Sequence, residues 1–131
     1  MPTIAEAALG MVGVPFRMHG RDPGIGLDCV GLIGAAMERA GLTPTLPRRY
    51  DLRNRSGIEA FLPMAEQSGL KSSRFPPARN DIVLYGLEGF QHHLAVSLGQ
   101  HRIVHAHAGL RRVLVSTPNN DWRILKVWSV D

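Results

Sequence analysis

A chain of 131 residues is sized for one domain, and a core of that size needs no disulfide or metal staple. Its single cysteine, Cys29, excludes an internal disulfide framework, and no stretch reaches the length of a membrane-spanning helix. The net charge is +4, but the basic residues, nearly all arginine, are scattered, with no aromatic-interleaved basic stripe to mark a nucleic-acid binder.

Along the chain, Thr3 and Glu6 have capping-box spacing and predict a short helix over residues 4–12, closed by Gly13 and Pro15. Residues 15–27 are rich in Gly and Pro and read as a loop. A second helix begins at Asp28 or Cys29. Its apolar positions, Cys29, Leu32, Ile33, Ala36, Met37 and Ala40, make one face at helical period, and Gly41 is its stop. Gly31, Gly34 and Ala35 are small enough for another element to lie close. Residues 42–55 read as a loop. Ser56 and Glu59 repeat the capping-box spacing and predict a helix over 57–68 that Pro63 kinks or breaks, with Gly69 as its end. From residue 81 the chain turns to β-type runs: "DIVLYGL", "HLAVSLG", "HRIVHAHA", "RRVLVST" and "RILKVWSV". Their spacing suits an antiparallel meander, with Gly99-Gln100 as a hairpin turn. Helices first and strands later argue for an α+β domain.

Asp28 as N-cap puts Cys29 in the first helical turn. There the unpaired N–H groups and the positive end of the helix dipole lower a thiol pKa. That points to a nucleophile, while a buried core thiol is the plainer reading. A cysteine nucleophile needs a base and something to orient the base. The chain has six histidines, His19, His92, His93, His101, His105 and His107. On a strand over 93–98, His93, Ala95 and Ser97 share a face; on a strand over 102–107, Ile103, His105 and His107 do. His93 and His105 can then lie side by side on neighbouring strands. The small residues beside His93 leave room for a helix terminus to approach that face. Cys29, His93 and His105 would be nucleophile, base and orienter. His92, His101 and His107 read as structural or exposed. A metal site on His105-Ala106-His107, completed by Cys29 or His93, is the alternative, but no carboxylate or second cysteine lies near in sequence, and no metal is expected.

Three blocks resemble the NlpC-type family of papain-like cysteine peptidases, which cut bacterial cell-wall peptides. "VGVPFRMHGRDPGIGLDCVGLIGAA" is similar to the family's loop followed by Asp-Cys-x-Gly-Leu at a helix start. "PPARNDIVLYG" is similar to its Pro-x-x-Gly-Asp strand entry. "HHLAVSLGQHRIVHAHAG" is similar to its His-Val-Gly-Ile strand, Gly turn and Ile-His-Ala. The blocks stand in family order. The resemblance implies a papain-like α+β fold, with N-terminal helices packed on a five- or six-stranded antiparallel sheet. It implies Cys29 as nucleophile, His93 as base, chosen over His92 by its distance to Gly99, and His105 as the third residue. It implies no cofactor. The substrate would be a peptidoglycan stem peptide, cut at the γ-D-glutamyl–diaminopimelate amide. Phe16, Asp28 and Val30 hold positions expected to serve the oxyanion or the substrate.

Three residues depart from the family pattern. Phe16 stands where tyrosine is common, Val30 where serine follows the cysteine, and Asn80 where glycine precedes Asp81. The first block is most similar to members found in phage tails, prophages and gene-transfer agents, which implies tail-tip proteins as partners. The N-terminal "MPTIAEAALGMVG" has no signal-peptide pattern. The expectation is synthesis in the cytoplasm, action in the virion or at the wall after delivery, and no membrane insertion. A tail-tip component with weak or lost activity, or an amidase or acyltransferase using the same triad, is the alternative.

Overall fold

The computed structural model describes residues 1–46, 61–88 and 91–130. Helix α1 spans Ile4–Leu9 and opens with the expected capping box: Thr3 Oγ1 accepts the Glu6 N–H, and Glu6 Oε1 accepts the Thr3 N–H. It ends short of residue 12, and a run of turns carries the chain to Gly13. Helix α2 spans Cys29–Arg39 with Asp28 as N-cap. It closes as a Schellman motif, with Gly41 N–H donating to Glu38 O, Leu42 N–H to Met37 O, and Gly41 at φ +85°. Helix α3, Phe61–Gln67, closes the same way around Gly69. Pro63 is the third residue of the described span of α3. The Ser56–Glu59 capping box and the predicted start at 57 lie outside the described residues. No described helix is long and apolar enough to cross a membrane.

Within the stretch read as loop, β1 (Arg21–Asp22) and β2 (Gly26–Leu27) form a small antiparallel pair. The main sheet contains β3 (Lys71–Ser72), β4 (Ile82–Gly86), β5 (His92–Gly99), β6 (Arg102–His107), β7 (Arg112–Ser116) and β8 (Arg123–Ser129). All its pairings are antiparallel, in the order β3-β8-β4-β5-β6-β7. All five predicted runs are strands, and β4 to β7 make the expected meander. β8 departs from it by returning across the sheet to pair with β4. β3 then adds beyond β8. The β5–β6 turn has Gln100 and His101 at its tip, one residue later than expected; both have positive φ, as a type I′ turn demands.

The chain leading into α2 is tied to the other end of the sheet. Gly13 N–H donates to Val113 O, Val113 N–H to Val14 O and Phe16 N–H to Arg111 O, so this segment covers the free edge of β7. Alternation gives the sheet two faces. Leu84, Leu94, Val96, Val104 and Ala106 pack with Leu32, Ile33, Ala36 and Met37 of α2 in the main core. Val83, Tyr85, Ala95, Ile103 and Val127 form a second cluster on the other face, joined by Leu87, Trp122 and Ile124.

Candidate active site

The start of α2 is held by one carboxylate. Asp28 Oδ1 accepts the Gly31 N–H at 2.8 Å, and Oδ2 accepts the His19 N–H at 2.9 Å. Asp28 thus caps the helix and fastens the preceding loop to it. A Cβ at Gly31 would run into the Gly20 carbonyl oxygen, so glycine is what lets the loop lie this close. Cys29 in the first turn is 1% exposed. Its sulfur receives the N–H groups of Leu94, Val30 and Cys29 itself, which favour the thiolate. Burial outweighs them, the Asp28 charge adds to burial, and the thiol is pushed up to about 12. The lowered thiol expected from the helix start is therefore corrected: the N–H groups are present, and desolvation is larger.

Leu94 reveals how the cysteine meets the histidines. On β5, Ser97 N–H bonds to Asp81 O on the β4 side. The Leu94 N–H, an odd number of residues away, points to the β6 side. The β5–β6 partners end at Val96–Val104, before Leu94 is reached. Its N–H is turned to Cys29 Sγ. The sequence reading brought the helix terminus over the face that carries His93, Ala95 and Ser97. Instead α2 packs on the opposite face, against Leu94 and Val96. Cys29 approaches the histidines where the β5–β6 pairing has ended.

His93 and His105 do lie side by side. His93 Nε2 and His105 Nδ1 are 2.7 Å apart, and His105 Nε2 lies 2.7 Å from Ser116 Oγ. Trp122 stands edge-on to both rings, with centroids 5.2 Å from His93 and 5.8 Å from His105. Burial pushes the His93 imidazole down to about 3, helped by the charges of His105 and His107. His105 is pushed down to about 4 by burial and then by His107. The resting site therefore holds a neutral thiol and neutral imidazoles. Cys29, His93 and His105 line one cleft of about 240 Å³, with Phe16, Met18, Leu87 and Trp122 among its apolar walls and Gln91, His92 and His107 among its polar ones.

Phe16 lines this cleft and presents a ring without a hydroxyl. The side chains of Asp28 and Val30 do not line it. Asp28 is 0% exposed and occupied in capping, and the Val30 side chain is packed in the main core, so neither side chain reaches the cleft and Val30 presents only its backbone N–H there. Of these two residues, Val30 alone has its N–H toward the sulfur. His101 sits on the β5–β6 turn and His19 in the loop before β1. Both His105 ring nitrogens are engaged, and His107 Nδ1 accepts the Leu110 N–H at 3.0 Å. Among the described residues no group of three His, Cys, Asp or Glu side chains is placed to hold a metal ion.

Sequence reasoning missed Met18, Ser116 and Trp122. Ser116 was within reach, because alternation along "RRVLVST" puts it on the face of Leu114, the partner of His105. Trp122 was not, since it lies in the turn before β8 and meets the site only because β8 crosses back to β4.

Residues 13–130 match the NlpC/P60 family model, and the chain belongs to that family. A search of curated protein sequences found no match. Among solved structures the chain is similar to a Staphylococcus aureus protein described as similar to a lipoprotein of the NLP/P60 family (20% identity, TM-score 0.67), covering 98% of this chain and 40% of that one. It is similar to the peptidoglycan hydrolase RipB of Mycobacterium tuberculosis (20% identity, TM-score 0.65), covering 98% and 63%. It is also similar to RipD of the same organism (24% identity, TM-score 0.60), covering 99% of both chains. RipD is described as a non-catalytic NlpC/p60 domain adapted to peptidoglycan binding. The chain thus spans less than two thirds of the first and second of these proteins. The shared fold is the NlpC/P60 fold, α+β with a six-stranded antiparallel sheet.

Proposed function

We propose that this chain is a cysteine peptidase that hydrolyses peptidoglycan stem peptides, with Cys29 as nucleophile, His93 as base and His105 as the residue that orients it. The observation that carries this reading is the single cleft lined by Cys29 and by a His93–His105 pair bonded at 2.7 Å. His93 Nε2 is taken by His105, which leaves Nδ1 to serve the thiol. From the neutral resting pair, Cys29 Sγ attacks the amide carbon while its proton passes to His93 Nδ1. The N–H groups of Cys29 and Val30, at the open start of α2, are donors for the oxyanion. The intermediate collapses as His93 gives the proton to the leaving amine, and a thioester remains. His93 then takes a proton from water, the hydroxide attacks the thioester carbon, and the thiol is restored. The bond is the γ-D-glutamyl–diaminopimelate amide. Delivery with a phage tail, through contacts with tail-tip proteins, rests on the resemblance of residues 12–36 to tail-associated members.

A second reading is supported by the burial of Cys29: a domain that binds the wall peptide without cutting it, as a tail component would. Purified sacculi separate the two. Wild type and Cys29→Ala are incubated with them, and both pelleted protein and released fragments are measured. Hydrolysis requires release by wild type alone and retention of both proteins. Retention of both without release favours the binding reading.

A further inference from the structure

We propose that Ser116 is a positioning residue: its Oγ accepts the Nε2–H of His105, which fixes the tautomer of His105 and, through it, that of His93. Two hydrogen bonds in a chain constrain where the protons lie. His93 Nε2 faces His105 Nδ1, and His105 Nε2 faces Ser116 Oγ, each at 2.7 Å. Neutral imidazole carries one N–H and one bare nitrogen. Only two orders therefore satisfy both contacts. In the first, His93 carries its proton on Nε2 and donates to a bare His105 Nδ1; His105 then carries its proton on Nε2 and donates to Ser116. In the second, Ser116 donates to a bare His105 Nε2, His105 donates from Nδ1, and His93 is left with its proton on Nδ1. Only the first leaves His93 Nδ1 with a lone pair.

A hydroxyl completes the first order because it accepts at the far end while its own proton rotates elsewhere. An apolar side chain there cannot. A buried N–H facing it has lost its partner, and the second order, which leaves only a bare nitrogen at that end, becomes the favoured one. Trp122, edge-on to both rings, helps hold them in place while the protons are sorted. The geometry of β6 and β7 makes the contact possible. His105 pairs with Leu114 and Ile103 with Ser116, so His105 and Ser116 are diagonal neighbours on one face.

The choice of the first order rests on the peptidase reading, which needs a bare His93 Nδ1; the two hydrogen bonds themselves do not. The test is the tautomer state of His93 and His105, read by long-range ¹H–¹⁵N correlation on ¹⁵N-histidine-labelled protein near neutral pH. Wild type, Ser116→Thr and Ser116→Val are compared, because threonine and valine share a shape and differ in the hydroxyl. Both histidines are expected as Nε2–H in wild type and in Ser116→Thr, and as Nδ1–H or a mixture in Ser116→Val. On stem peptides, Ser116→Val is expected to lose about tenfold in kcat with KM little changed, and Ser116→Thr to retain most of it. If Ser116→Val does not fold, Ser116→Ala carries the same comparison. Nδ1–H at His93 in wild type, or tautomers that do not move in the valine variant, overturns the proposal. A tautomer shift in a protein that cleaves nothing overturns the peptidase reading and leaves the proton order standing.

Discussion

Asp28 ties two tasks to one carboxylate, and they pull on Cys29 in opposite ways. Its cap opens α2 beneath the sulfur, while its charge holds the thiol proton on. Asp28→Asn is expected to lower the thiol pKa, seen as faster alkylation at a given pH; an unchanged rate profile would remove the carboxylate from the account. Asp28→Ala also leaves the Gly31 and His19 N–H groups without this acceptor and is expected to cost ~1–3 kcal/mol, read from denaturant midpoints. Asn80, the departure from glycine before Asp81, separates two effects. Its φ is +78°, and its Oδ1 accepts the Ala5 N–H at 3.0 Å, fastening the start of α1 to the entry of β4. Asn80→Gly keeps the backbone and loses the bond, at ~1 kcal/mol. Asn80→Ala loses both and is expected to cost ~1 kcal/mol more; equal losses would show that the backbone conformation carries no penalty. The left-handed backbone was legible, since glycine and asparagine both tolerate it. The bond to Ala5, 75 positions away in sequence, was not.

α2 is the element the sequence marked most clearly, because its signals are local. The capping carboxylate, the apolar stripe and the closing glycine lie within fourteen residues, 28–41. Gly31 shows where local preference loses. Alanine is the better helix former by ~1 kcal/mol. A Cβ at Gly31, however, meets the Gly20 carbonyl, which is backbone, so Gly31→Ala is expected to cost ~1–3 kcal/mol and to displace the loop before β1. At Gly34 the obstacle is the Leu46 side chain, which can turn aside, and the same substitution is expected to be milder. Paired melting curves decide between them; equal stability would mean that the Gly20 contact does not govern. The other elements were less legible for physical reasons. β1, β2 and β3 are two residues each and show no period. The return of β8 to β4 is a choice of partner, which alternation does not encode. Alternation did sort His93 and His105 correctly onto one face. It could not show that α2 takes the opposite face, because that depends on where the β5–β6 ladder stops.

Taken together, the buried ionisable groups set the pH range in which the molecule is most stable. His93 and His105 titrate at about 3 and about 4 when folded, against 6.5 for free imidazole. Between those values the unfolded chain binds protons that the folded chain refuses, so stability falls as pH drops below about 6.5. Cys29 moves the other way, from 9.0 to about 12, and Tyr85 rises from 10.0 to about 12 through burial. There the folded chain keeps protons that the unfolded chain releases, so stability falls as pH rises above about 9. Melting temperature is expected to be highest between these limits and to drop on both sides; a melting temperature that rises on acidification from pH 6.5 to 4 would contradict the burial of both histidines. In Cys29→Ala the alkaline decline is expected to weaken without vanishing, since Tyr85 remains.

The most direct measurement is digestion of defined stem peptides by wild type and by Cys29→Ala, with the products identified by mass spectrometry. The account predicts two fragments from wild type, one ending in a free γ-carboxyl of D-glutamate and one beginning at the diaminopimelate amine, and none from the variant. The same fragments from Cys29→Ala, or none from wild type on stem peptides that it binds, would contradict it.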